Sequence, residues 1–161
     1  MTSATTPGPA PLTKPLLAFC GLLIVGQIVL GVLGNYVELP SSIGVIMLVA
    51  AAVAGGQTFG NSARRAMTPG EKVRFAIIGT IAAFAIGIAG LYATFTYYGV
   101  PLTAQNMMLG LGVPPGEMSD FKNYVAIGLG IGGLISLIVL YVGGGFGSKS
   151  AVRALEKKGS L

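Results

Sequence analysis

Histidine is absent from this sequence, and with it the commonest general base and metal ligand at neutral pH. Tryptophan is absent too, and acidic residues number only five against ten Lys and Arg. A single cysteine, Cys20, cannot close an intrachain disulfide; its place inside an apolar run makes it a small buried hydrophobe rather than a reactive thiol. Charged residues occupy 9% of the 161 positions, where ordinary soluble domains carry about 25%. A chain of this length that is 53% hydrophobic cannot hide its apolar surface in its own core, whereas a bilayer can cover it. A mean hydropathy of +0.79 agrees.

The few charges are also confined to connections and a tail. No Asp, Glu, Lys or Arg lies deep in any apolar run, so proton relays, ion sites and voltage sensors lack their usual groups. An intramembrane protease would need Ser with Lys or His, or paired Asp residues, and none is arranged here. The expectation is therefore a non-enzyme with no cofactor, no catalytic residue and no metal. The net charge of +5 sits where lipid headgroups would meet it, so anionic lipid is the expected partner and nucleic acid is not.

What remains is an all-α, polytopic pattern: four apolar runs, over about 16–37, 41–60, 72–98 and 123–146. Residues 1–13 are small, proline-bearing and uncharged, and are expected to be disordered. The first run is too long for a signal-peptide core and no small-residue cleavage site follows it, so it reads as a retained span. Pro40 breaks the chain before the second run, where Ser41 or Ser42 is expected as a cap. Gly60 and Asn61 resemble the end of that helix.

Residues 61–74 organise the chain. They hold four of the ten basic residues and separate the first two spans from the last two. Thr68, Pro69 and Glu71 form a capping box with proline at the first helical position, the sharpest local signal present. With four spans, Lys14, Arg64, Arg65, Lys72, Arg74, Lys149, Arg153, Lys157 and Lys158 fall on one side and Lys122 alone on the other. The positive-inside rule puts the crowded side, and both termini, in the cytoplasm. Arg64, Arg65, Arg153, Lys157 and Lys158 are the expected headgroup contacts.

Two rows of small residues are expected to carry helix packing: Gly79, Ala83 and Gly87 in the third span, and Gly128, Gly132 and Ser136 in the fourth. The stretch 128–133, GLGIGG, matches a dinucleotide fingerprint in letters only, because no strand precedes it and no helix opens after it. Gly143, Gly144 and Gly145 are expected to loosen the fourth helix as it leaves the membrane, with residues 148–158 forming a separate short amphipathic helix on the cytoplasmic surface. In the long connection 99–122, Thr103 is expected to cap one or two helical turns carrying Met107, Met108 and Leu109. Gln27 and Gln57 are the only deep amides, read first as hydrogen-bonding links between helices.

The run Ala54-Gly55-Gly56-Gln57-x-Phe59, then Arg64-Arg65, then Thr68-Pro69-Gly70-Glu71-Lys72-x-Arg74 resembles a family of small, uncharacterised four-helix bacterial inner-membrane proteins. The resemblance covers residues 54–74 and implies a bacterial inner membrane; it brings no activity and no site residues. From the residues themselves, the leading expectation is an accessory subunit or assembly factor that packs laterally in a larger membrane complex. The alternative is a small-solute or ion transporter or channel acting as a homo-oligomer, with Gln27 and Gln57 lining a path.

Overall fold

The computed structural model describes residues 10–38, 40, 42–110 and 121–159. Of residues 1–13, read as disordered, residues 1–9 lie outside them, as do the role given to Ser41 and the side chains of Met108, Leu109 and Lys122; Thr13 already belongs to the first helix. Among the described residues there are five helices and no strand: α1 (Thr13–Leu33), α2 (Ile43–Ala63), α3 (Pro69–Tyr97), α4 (Ala104–Gly110) and α5 (Phe121–Lys157). All but α4 are long and apolar enough to cross a membrane.

The four long helices form a ring in which α1 neighbours α2 and α3, and α5 neighbours the same two from the other side. The bundle is closed at one end only. Its fully buried side chains include Phe19, Phe59, Phe75 and Leu140, and the ring of Phe19 meets that of Phe75 edge to face at 5.9 Å. The opposite end splays: most of residues 28–37, 43–50, 85–97 and 125–138 are exposed or half-buried, as lipid-facing apolar side chains would be.

Helix ends depart from expectation in three places. Gly60 does not stop α2, because it is spent on a close approach to α5; the helix runs on to Ala63 and ends at Arg64 in the left-handed conformation, φ 52°. Ser42 precedes α2 but its hydroxyl makes no cap bond; its backbone carbonyl accepts from Ile46 instead. The three glycines 143–145 do not loosen α5, and residues 148–157 do not form a helix of their own. α5 is a single 37-residue helix, about 55 Å long at 1.5 Å per residue. Its glycines are buried against α2 and α3, where a break would cost the contact.

Elsewhere local sequence decides local structure. The capping box at α3 is formed. α3 stops at Gly99, φ 64°, where Val100 N donates to Phe95 O at 3.0 Å and Gly99 N to Thr96 O at 3.2 Å, the pair of bonds that needs a left-handed residue after the last turn. Thr103 accepts from Asn106 N at 3.2 Å and starts α4, as its spacing predicts.

Candidate functional site

At the closed end one carboxylate gathers three chain segments. Glu71, in the first turn of α3, accepts from Thr68 N at 2.9 Å, completing the capping box. It also accepts both guanidinium nitrogens of Arg65, at 2.7 and 2.8 Å, the Thr68 hydroxyl at 3.0 Å and Ala10 N at 3.0 Å. The Glu71 side chain is 6% exposed and that of Arg65 24%. Arg65 stacks over Phe59, 5.4 Å from the ring centre. Its hydrogen bonds to Glu71 push the guanidinium above an already high ordinary pKa, so its charge is permanent. Arg65, expected as a headgroup contact, is thus built into the fold through Glu71 while a quarter of its side chain stays exposed. Arg64, one residue earlier, is exposed.

A second bond fastens the same loop to α5. Ser148, fully buried, accepts from Met67 N at 3.2 Å and donates to Gly145 O at 3.0 Å. Around it α2 and α5 cross with their backbones nearly touching. A Cβ at Gly56 would strike the carbonyl oxygen of Gly144, and one at Gly147 the carbonyl oxygen of Val53. At Gly60 it would stand 2.6 Å from Ser148 O. Ala52, Gly56 and Gly60 on α2, and Gly143, Gly147 and Ala151 on α5, are the two facing rows, each with four-residue spacing. Neither of these rows is one that the sequence singled out for packing.

The rows it chose fare unevenly. Gly79 is buried, and a Cβ there would lie 2.9 Å from a Leu140 methyl. Ala83 packs half-buried against the core. Gly87 meets nothing within 4 Å. Gly128 and Gly132 likewise meet nothing within 4 Å among the described residues, and Ser136 is half-buried. The α5 row is therefore open at its two glycines among the described residues.

At the splayed end α1 and α3 diverge around a cleft of about 1000 Å³. Its lining is mostly apolar, with Gln27 and Asn35 from α1 and its following turn, and Thr94 and Tyr98 from α3 and its end. Tyr98 donates its hydroxyl to Asn35 Oδ1 at 2.6 Å, tying the two helix ends together. The Gln27 amide lies against the α3 backbone: a Cβ at Gly90 would stand 2.6 Å from Gln27 Oε1. Neither Gln27 nor Gln57 makes a side-chain hydrogen bond among the described residues, so neither links two helices as expected. Gln57 is exposed on α2 and does not line the cleft.

Along the end of α5 a shallow groove of about 340 Å³ is lined by Phe146, Lys149, Ser150, Arg153, Ala154 and Lys157. Its three cations fall four residues apart on one helical face; Lys158 is exposed beside them. Among the described residues no group of three or more His, Cys, Asp or Glu could hold a metal ion. No family model matches the chain, and no characterised protein or solved structure resembles it at a significant level.

Proposed function

We propose that this chain is a non-catalytic accessory subunit or assembly factor of a larger complex in a bacterial inner membrane, working by lateral helix packing. One observation carries the reading. α5 bears a small-residue row, Gly128 and Gly132, with nothing among the described residues within 4 Å of a Cβ built at either, whereas the equivalent rows at the closed end are in close contact. In lipid, where apolar surface gains little by leaving a neighbour, such rows favour close approach of a second helix. The resemblance of residues 54–74 supports the bacterial inner membrane.

The orientation follows from charge. Lys14, Arg64, Arg65, Lys72, Arg74 and the cations of the α5 groove belong to the closed end, which is the cytoplasmic end in this reading. Arg64, Arg153, Lys157 and Lys158 then meet anionic headgroups, each worth about 1 kcal/mol near such a surface. A reporter active only in the periplasm should stay silent when fused after Leu161, and an active fusion defeats this topology.

Purification of the tagged full chain in mild detergent should recover a larger membrane complex. The double substitution Gly128→Leu/Gly132→Leu should lose that complex while melting no lower than the parent, because nothing among the described residues lies within 4 Å of a Cβ at either position and leucine is the better helix former. Recovery of monodisperse monomer alone from the parent chain would sink the reading. The transporter alternative receives less support, since Gln57 does not join Gln27 along the cleft.

A further inference from the structure

The cleft between α1 and α3 has features that an inter-helix gap filled by lipid tails does not require. Its volume, about 1000 Å³, reaches the upper end of ordinary ligand pockets, about 300–1,000 Å³. Both walls carry small residues: Gly31 on α1 and Gly87 on α3 line the cleft with nothing within 4 Å of a built Cβ, which leaves room beside each for an occupant. Gln27 lies on the wall with an unpartnered amide. An amide left without a hydrogen bond in hydrocarbon is costly, so an occupant that bonds it is favoured over one that does not. No charged residue lines the cleft, which leaves a phosphate headgroup without a counter-ion. The Tyr98–Asn35 bond bridges the two helices at the outer rim, so entry is sideways from the lipid.

We propose that this cleft binds one neutral, membrane-soluble molecule with a flat, carbonyl-bearing head, quinone-like in shape and polarity, whose carbonyl oxygen accepts a hydrogen bond from the Gln27 amide. The apolar tail leaves through the open side between α1 and α3. Gly90 sets the position of the amide, because any side chain there would displace Gln27 from the wall. The inference stands apart from lateral packing at Gly128 and Gly132, and either can fail alone.

The test uses the purified full chain in mild detergent and two probes: a decyl-substituted benzoquinone, and decylbenzene, which keeps the tail and ring but has no carbonyl. Binding is read as a saturable rise in melting temperature and as quenching of tyrosine fluorescence. The quinone is expected to bind the parent about tenfold more tightly than decylbenzene does, the worth of one net hydrogen bond. Gln27→Leu should erase that difference, and Gly90→Leu should abolish saturable binding of both. Should Gly90→Leu fail to fold, Gln27→Leu decides the matter, since it keeps the side-chain volume at an exposed position. Equal binding of the two probes to the parent overturns the proposal. So does non-saturable partitioning of the quinone, its complete displacement by zwitterionic phospholipid, or a native-membrane crosslink from position 87 to another protein's helix with no probe binding.

Discussion

Gly56→Val should unfold the closed end of the bundle and give the largest loss of stability of any single substitution in α2. The Cβ it adds collides with the carbonyl oxygen of Gly144, a backbone atom that cannot rotate aside. Overpacking a well-packed site costs about 1–3 kcal/mol when side chains can adjust, and more when backbone must move. Here α5 must be pushed off α2 along a crossing that also holds Ala52 against Gly143 and Gly60 against Ser148. The contrast with other glycines makes the prediction sharp. Replacing an interior helical glycine with alanine ordinarily stabilises by about 1 kcal/mol through propensity alone. Gly128→Ala and Gly132→Ala, which meet open space, should follow that rule and raise the melting temperature in detergent. Gly56→Ala and Gly147→Ala should reverse its sign. Four glycines that behave alike in a thermal series would mean that α2 and α5 do not cross at these residues.

That contrast shows what the sequence could and could not disclose. Four-residue spacing of small residues is a property of one helix, and it says that a smooth row exists. It does not say what the row meets, so rows 79–87 and 128–136 read the same as rows 52–60 and 143–151. Three consecutive glycines look like a helix breaker by the propensity measured in water. At 143–145 tertiary contact overrides propensity, because only glycine lets α5 lie on Ala52, Phe75 and the Lys72 stem. Gly60 misled in the same way, its likeness to a helix-end glycine hiding a packing role. The four apolar spans were legible because length and composition suffice for them. The capping box was legible because its partners are three residues apart. Arg65 and Glu71 are six apart, one in the connection after α2 and the other in the first turn of α3, and no helical spacing rule covers such a pair. Of the cleft only Gln27 was singled out, since the cleft arises from the divergence of two helices whose facing residues are more than 50 positions apart in the chain.

Arg65→Ala and Glu71→Ala should each destabilise the protein by about 3 kcal/mol, while Arg64→Ala should change stability by no more than about 0.5 kcal/mol. The three residues lie within one short segment and carry full charges, yet only two are built into the fold. Removing Arg65 leaves a Glu71 carboxylate, 6% exposed, with neutral donors alone. Removing Glu71 takes the carboxylate from the guanidinium and frees Ala10 N and Thr68 N. The cost stays at the lower end of the range for broken buried pairs because the Arg65 side chain keeps 24% exposure and can turn to water. Glu71→Gln tests the charge itself: it keeps an acceptor for Thr68 N but loses the bidentate grip on Arg65, so its loss should fall between those of Glu71→Ala and the parent. Thr68→Ala should cost less, about 0.5–2 kcal/mol, because only the cap hydroxyl is lost. The double substitution Arg65→Ala/Glu71→Ala should destabilise by less than the sum of the two singles, since neither partner is then left buried alone. Arg64→Gly should instead stabilise modestly, by relieving a left-handed residue at φ 52°. Melting curves of this set in one detergent decide the matter. Equal losses for Arg64→Ala and Arg65→Ala would show that both arginines serve the surface alone, and that the carboxylate of Glu71 does not hold the loop, the first turn of α3 and the segment before α1 together.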